Sequence, residues 1–157
     1  MRGENLSAWV NTVTGGAPIE RFPIRFAAVA TDLESQQAVL IGQGLPGQAI
    51  QASAAVPGVH VPVPYPGGYV IDGGSTSLVP VRFARAMRAD IVIAPEMAEA
   101  DVPIAPPVSV SGMSTRDEQE RAVLAGYRAT RAALPKLLAA MPTGTAPAKD
   151  HLVATTR

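Results

Sequence analysis

A carboxylate followed by two glycines is the feature of this sequence best suited to do chemistry. Asp72, Gly73 and Gly74 follow the apolar residues 69–71, whose composition predicts a short buried strand. Functional groups gather at strand carboxyl ends in open α/β sheets, and paired glycines let substrate or backbone approach a carboxylate closely. Asp72 is therefore a candidate general base for a hydroxyl nucleophile. An Asx-turn or a helix cap also fits these residues, and the spacing leaves both interpretations open.

The residues that would complete a familiar nucleophilic site are missing from the sequence. A nucleophile elbow needs Gly-x-Ser-x-Gly, and the serines give two half matches, around Ser75 and Ser114, each lacking the second glycine. The two histidines, His60 and His151, lie in a proline-rich loop and in the C-terminal tail, which disfavours a Ser-His-Asp triad. With two histidines and no cysteine, the sequence also predicts no metal site.

A second candidate is a glycine-rich segment that reproduces the dinucleotide-binding pattern Gly-x-Gly-x-x-Gly between a predicted strand and a predicted helix. Its residues are Gly42-Gln43-Gly44-Leu45-Pro46-Gly47. A nicotinamide or flavin site also needs an acidic residue about 20 positions further on to bind the ribose. Residues 55–71 contain no Asp or Glu. The pattern therefore favours a plain tight turn, and dinucleotide binding is the third-ranked hypothesis for function.

The composition predicts a folded domain with an aliphatic core. The 157 residues are 47% hydrophobic, yet the aromatic residues are three Phe, three Tyr and one Trp. Thirteen basic and thirteen acidic residues balance to a net charge of zero, which argues against nucleic acid as a partner. The sequence shows no signal-peptide pattern and no apolar stretch that could span a bilayer, so a cytoplasmic location is the default expectation.

Predicted helices and strands alternate along the chain. Helical spacing predicts helices over residues 5–13, 45–56 and 80–87, and strands are predicted over residues 24–30, 38–41, 69–71 and 91–94. Residues 57–68, which contain four prolines, are predicted to form a loop without regular structure. Residues 24–30 and 38–41, which a polar turn separates, could pair as a hairpin. The alternation of strands and helices along the chain predicts an α/β domain with a mostly parallel sheet.

A further helix is predicted after a capping box formed by Thr115 and Glu118. One face of this helix carries the large apolar residues Val123, Tyr127, Leu134 and Leu138, and Pro135 is expected to kink it. Residues 141–157 are small and polar, and we expect them to form a flexible tail behind a domain over residues 1–140.

Several blocks of the sequence, taken in order, resemble the bacterial patatin-like phospholipases. The blocks are Ile-Arg-Phe-Ala-Ala-Val-Ala-Thr-Asp-Leu at residues 24–33, Ala-Ile-Gln-Ala-Ser-Ala-Ala-Val-Pro-Gly-Val at 49–59, Tyr-Val-Ile-Asp-Gly-Gly at 69–74, Pro80-Val81, and Ala-Asp-Ile-Val-Ile-Ala at 89–94. The resemblance covers roughly residues 6–138. It departs from the family pattern at His60, where an aromatic residue is usual, and at Ser77-Leu78, where an Asn-containing segment is usual.

The resemblance implies a three-layer α/β/α fold and hydrolysis of lipid acyl esters by a Ser-Asp dyad, without a metal or cofactor. Asp72 matches the aspartate that serves as the base, and Gly73 and Gly74 complete its motif. In the family, the oxyanion loop and the serine elbow precede all the matched blocks. The chain thus resembles the C-terminal portion of the domain with its N-terminal strands missing, and we expect it to be inactive by itself.

A second hypothesis from another class is a non-catalytic remnant or interaction module that docks onto a complementary chain. A sheet without its first strands would expose an edge, through which the chain is expected to associate with itself. Under the first hypothesis the partners are a lipid or other acyl ester, with peripheral contact with a membrane.

Overall fold

The computed structural model describes residues 3–95, 99–108 and 115–141, and the chain divides into two compact units, Met1–Ala89 and Asp90–Arg157. The predicted α/β class is confirmed, since both units contain helices and strands. In the first unit the elements are α1 (Glu4–Val13), β1 (Ala28–Asp32), β2 (Ala38–Ile41), α2 (Pro46–Ser53), β3 (Val63–Tyr65), β4 (Gly68–Asp72) and α3 (Val81–Ala86). In the second they are β5 (Ile93–Pro95), β6 (Val102–Ile104) and α4 (Arg116–Ala140).

The sheet of the first unit is antiparallel, so the predicted mostly parallel arrangement is wrong here. Its strand order is β2-β1-β4-β3, and each neighbouring pair runs antiparallel. For two of the three pairs the cause is loop length, since residues 33–37 join β1 to β2 and residues 66–67 join β3 to β4. Parallel neighbours need a crossover of a dozen or more residues, which these turns cannot provide.

The prediction of an irregular loop over residues 57–68 is also wrong, because β3 forms within it. This strand lies at the edge of the sheet and pairs only with β4 among the described strands. Pro64 occupies the middle of β3, opposite Tyr69. A proline has no N–H to donate, but an edge position requires hydrogen bonds on one side only, so the residue is accommodated there.

Alanines allow α2 to pack closely on the sheet. Ala49 and Ala52 of α2 are buried in one cluster with Ala30 of β1 and Val70 of β4. On its other side α2 packs against α1. The core consists mainly of small aliphatic side chains, as the scarcity of aromatic residues predicts. Because α2 packs on β1 and β4, it supports the end of β4, where Asp72 is the last residue.

The second unit contains a parallel pair of strands and a long helix. Strands β5 and β6 pair in parallel, and α4 packs against β6. The predicted capping box at Thr115 and Glu118 is confirmed, with both of its reciprocal hydrogen bonds present. Hydrogen bonds from the N–H and hydroxyl of Thr115 hold the pKa of Glu118 below its usual value. Helix α4 continues past Pro135 to Ala140, and the predicted tail beyond Met141 lies outside the described residues.

None of the helices in the described ranges is both long enough and apolar enough to cross a membrane.

Candidate functional site

Asp72 is the last residue of β4 and stands beside the middle of β1. It is paired with Ala30 across the antiparallel ladder. Its N–H donates to the Ala55 carbonyl oxygen at 3.0 Å, and its own carbonyl oxygen accepts a hydrogen bond from Thr31 Oγ1 at 2.9 Å. Both polar groups of the Asp72 peptide are therefore anchored by neighbouring elements, and the backbone that carries the carboxylate is fixed in place.

The two oxygens of the Asp72 carboxylate have different surroundings. Oδ1 accepts the N–H of Gly74 at 2.5 Å and caps a short 3-10 helix, Gly73–Ser75. The helix-cap interpretation from the sequence is thus confirmed. In the described part of the chain, Oδ2 has no hydrogen-bond partner, and the side chain is only half-buried. One oxygen orients the carboxylate while the other stays open to accept a proton, so capping and general-base chemistry are compatible.

Gly73 is required by a close backbone approach. A Cβ built on Gly73 would lie 2.1 Å from the carbonyl oxygen of Val29 in β1. Neither Gly73 nor Gly74 has a positive φ, so neither supplies a backbone angle closed to other residues. The contact with Val29 confirms the close approach of another chain segment that the paired glycines predict.

The side chain of Thr31, which the sequence reasoning missed, anchors this turn. Thr31 is fully buried in β1, and its hydroxyl lies 2.8 Å from the hydroxyl of Thr76. Because a hydroxyl has one proton and that of Thr31 goes to the Asp72 carbonyl, Thr76 is the donor in this second hydrogen bond. The signal in the sequence is a polar residue at a buried strand position, within Ala-Val-Ala-Thr.

We expect Thr31→Val to lower the free energy of unfolding by about 1–3 kcal/mol, because it leaves the Asp72 carbonyl and the Thr76 hydroxyl without their partner. Urea titration followed by circular dichroism measures the loss. Thr76→Val breaks the same network, so the double variant should lose less than the sum of the two single losses. Fully additive losses would contradict a coupled network.

Asp72 lines a cavity of about 560 Å³ whose walls are mostly apolar. Phe26, Ile50 and Leu78 contribute the larger apolar side chains, and Ser53 and Ser77 add hydroxyls. In the described part of the chain, neither hydroxyl is hydrogen-bonded to the Asp72 carboxylate. An open carboxylate oxygen beside an apolar cavity suits an uncharged substrate with a hydrocarbon portion.

The structure does show a Ser–Asp hydrogen bond, but in the turn between β1 and β2. Ser35 Oγ donates to Asp32 Oδ1 at 2.8 Å, and the N–H groups of Glu34 and Ser35 donate to the same oxygen. The Ser35 N–H and hydroxyl lower the pKa of Asp32. All of these contacts are local and exposed, as in an Asx-turn, so this pair has a structural role.

Among the residues weighed for a nucleophile or a triad, Ser75 lies in the 3-10 helix that Asp72 caps. His60 lies in the turn that follows α2, where its Nδ1 is buried without a hydrogen-bond partner among the described residues. His151 and Ser114 lie outside the described residues. A search of the described ranges finds no cluster of three or more His, Cys, Asp or Glu side chains that could hold a metal ion.

The glycine-rich segment 42–47 joins β2 to α2, but its geometry is not that of a dinucleotide site. Strand β2 is antiparallel to its neighbour, whereas the dinucleotide motif belongs to a parallel βαβ unit. The N–H of Gly44 donates to Glu20 Oε2 at 2.9 Å, so a carboxylate occupies the place of an incoming phosphate. The backbone N–H groups of Glu20 itself and of Gly44 lower the pKa of Glu20.

Gly47 has a packing role instead. A Cβ on this residue would lie 2.1 Å from the carbonyl oxygen of Ser7 in α1. The N–H of Gly47 also donates to the Asn11 side-chain oxygen at 2.9 Å. The glycine lets the first turn of α2 touch α1, so helix packing explains the last glycine of the pattern. Gly44, with a φ of 84°, serves the tight turn that the sequence predicts.

The chain is similar in sequence to several proteins described as uncharacterized NTE family proteins. One is from Mycobacterium bovis and others are from two strains of Mycobacterium tuberculosis. Each is 36% identical to this chain over 94 residues, a stretch that covers 60% of this chain and 26% of the relative. The chain thus matches about a quarter of the length of these relatives. No family model matches the sequence.

Proposed function

We propose that this chain is part of a patatin-like serine acyl hydrolase, to which it contributes Asp72 as the general base of a Ser-Asp dyad. The observation that carries the proposal is the difference between the two oxygens of the Asp72 carboxylate. Oδ1 accepts the Gly74 N–H, while Oδ2 is open beside an apolar cavity. A base of this kind accepts the proton of a serine hydroxyl as that hydroxyl attacks an ester carbonyl.

The similarity to proteins of the NTE family supports the same reaction class. NTE stands for neuropathy target esterase, a name that belongs to the patatin-like phospholipase family. The resemblance of residues 69–74 to the family's Asp-Gly-Gly motif points to the same residue as the geometry does. The proposed substrate is a lipid or another acyl ester, whose hydrocarbon portion would lie in the apolar cavity.

In this proposal the nucleophile comes from a segment outside these 157 residues. The sequence contains no Gly-x-Ser-x-Gly, and an aspartate without a positioned hydroxyl cannot form an acyl-enzyme. The backbone N–H groups that would stabilise the tetrahedral intermediate belong to the same external segment. The isolated chain should therefore hydrolyse p-nitrophenyl butyrate no faster than buffer does.

The proposal is tested with a chimera in which this chain replaces the homologous stretch of the Mycobacterium tuberculosis relative. We expect the chimera to hydrolyse p-nitrophenyl butyrate, whereas the isolated chain does not. Hydrolysis by the isolated chain would show that the nucleophile lies within it. Absence of hydrolysis by both the intact relative and a folded chimera would count against an acyl hydrolase.

A further inference from the structure

The cavity beside Asp72 contains one ionisable side chain, and that side chain is an acid. The polar side chains of its lining are those of Asp72, Ser53 and Ser77, and the remaining lining residues are apolar residues or glycines. None of the Lys, Arg and His residues in the described part of the chain contributes to this lining. The lining therefore presents a carboxylate without a cation to balance its charge.

Two main-chain N–H groups of the turn after β4 are already used within the turn. The N–H of Gly74 donates to Asp72 Oδ1. The N–H of Ser77 donates to the Gly73 carbonyl oxygen at 2.8 Å. The side-chain donors of the lining are the hydroxyls of Ser53 and Ser77, which are half-buried and have no hydrogen-bond partner among the described residues. A hydroxyl can donate to an ester or to a carboxylate, but it adds no positive charge.

An ester and the acid that its hydrolysis releases differ in charge. Water and an ester R–CO–OR′ give the acid R–COOH and the alcohol R′–OH, and at neutral pH the acid loses its proton to solvent. A product held in the cavity is then a carboxylate that faces the carboxylate of Asp72. Like charges repel strongly at close range where apolar walls exclude water, whereas an uncharged ester is not repelled.

We propose that the Asp72 cavity selects uncharged esters and that repulsion by Asp72 expels the carboxylate product. The proposal rests on the proposed function, because it assigns the cavity to the acyl portion of the substrate. It gives the same carboxylate a second role, since Asp72 accepts the proton of the nucleophile during acyl transfer and afterwards keeps the product from remaining bound. A phosphate would be repelled in the same way, so the headgroup of a phospholipid would have to lie outside this cavity.

The test is a heteronuclear NMR titration of the full 157-residue chain, in which the backbone amides of residues 72–78 report on binding. The probes are methyl hexanoate and hexanoate, which have the same acyl chain and differ in charge. At neutral pH and low salt we expect methyl hexanoate to bind at least about tenfold more tightly than hexanoate, and this ratio should fall as salt is raised.

Two pairs of variants test whether Asp72 causes the selectivity. Asp72→Asn removes the charge, so hexanoate should then bind within about threefold of the ester, whereas Asp32→Asn should leave the ratio unchanged. Leu78→Lys places a cation at an 88% exposed position of the cavity lining and should tighten hexanoate binding about threefold. Its control is Ile24→Lys, at an 81% exposed position outside this lining, which should not change hexanoate binding.

Hexanoate binding as tight as ester binding in the wild type, or a ratio that Asp72→Asn leaves unchanged, would overturn the proposal. So would a lack of binding of both probes by a chain that circular dichroism shows to be folded. No step of this test involves hydrolysis. An inactive chimera would therefore count against the proposed function, whereas a loss of charge selectivity would count against the present proposal.

Discussion

Gly73→Ala is expected to lower the free energy of unfolding of the first unit by about 3 kcal/mol. The added methyl group would lie 2.1 Å from the Val29 carbonyl oxygen, far inside contact distance. Val29 cannot retreat easily, because β1 is hydrogen-bonded to β2 on one side and to β4 on the other. Gly73 is also held, since its carbonyl oxygen accepts the N–H groups of Thr76 and Ser77. Relief must come from shifting buried backbone, which is costly.

Urea denaturation followed by circular dichroism measures this loss, with Gly42→Ala as the matched control. A Cβ on Gly42 would make ordinary contacts, the nearest at 3.8 Å, and the residue has no positive φ. We expect Gly42→Ala to change stability by less than about 0.5 kcal/mol. Similar stability for the two variants would mean that Gly73 does not approach the Val29 carbonyl oxygen this closely.

Asp72→Asn is expected to lower kcat/KM of the chimera for p-nitrophenyl butyrate by a factor on the order of 10²–10⁴. An amide oxygen can still accept the Gly74 N–H and cap the 3-10 helix, so the fold should be kept while the basic oxygen is lost. The reduction should appear in kcat rather than KM, because the base acts in the chemical step.

Asp32→Asn is the control for this variant. Asp32 is the other aspartate of the sheet with a clear hydrogen-bond role, and it accepts Ser35 Oγ in an exposed turn. We expect Asp32→Asn to leave kcat/KM within about twofold of the unmodified chimera. A large loss with Asp32→Asn and none with Asp72→Asn would transfer the role of base to the Asp32–Ser35 pair.

The sequence predicts local elements well where a pattern has one physical cause. Strand β2 has the predicted bounds, Ala38–Ile41, and the Thr115–Glu118 capping box forms as its residue types require. The position of Asp72 at a strand end was also predictable, since two glycines after a run of apolar residues end a strand.

Strand direction and long-range anchoring were not predictable in the same way. A strand buried on both faces has the same apolar composition in parallel and antiparallel sheets, so residues 24–30 and 69–71 gave no direct signal of direction. The short connection at residues 33–37 was the better guide. The hydrogen bond from Thr31 to the Asp72 carbonyl joins residues 41 positions apart, and no local pattern indicates it.

Labelling with a fluorophosphonate, followed by mass spectrometry of the modified peptide, tests the central claim most directly. In the chimera we predict a label on a serine contributed by the mycobacterial relative, a marked loss of labelling with Asp72→Asn, and no label on the isolated chain. A label on Ser53, Ser75 or Ser77 of this chain, or labelling that Asp72→Asn leaves unchanged, would contradict the assignment of Asp72 as the base for an external nucleophile.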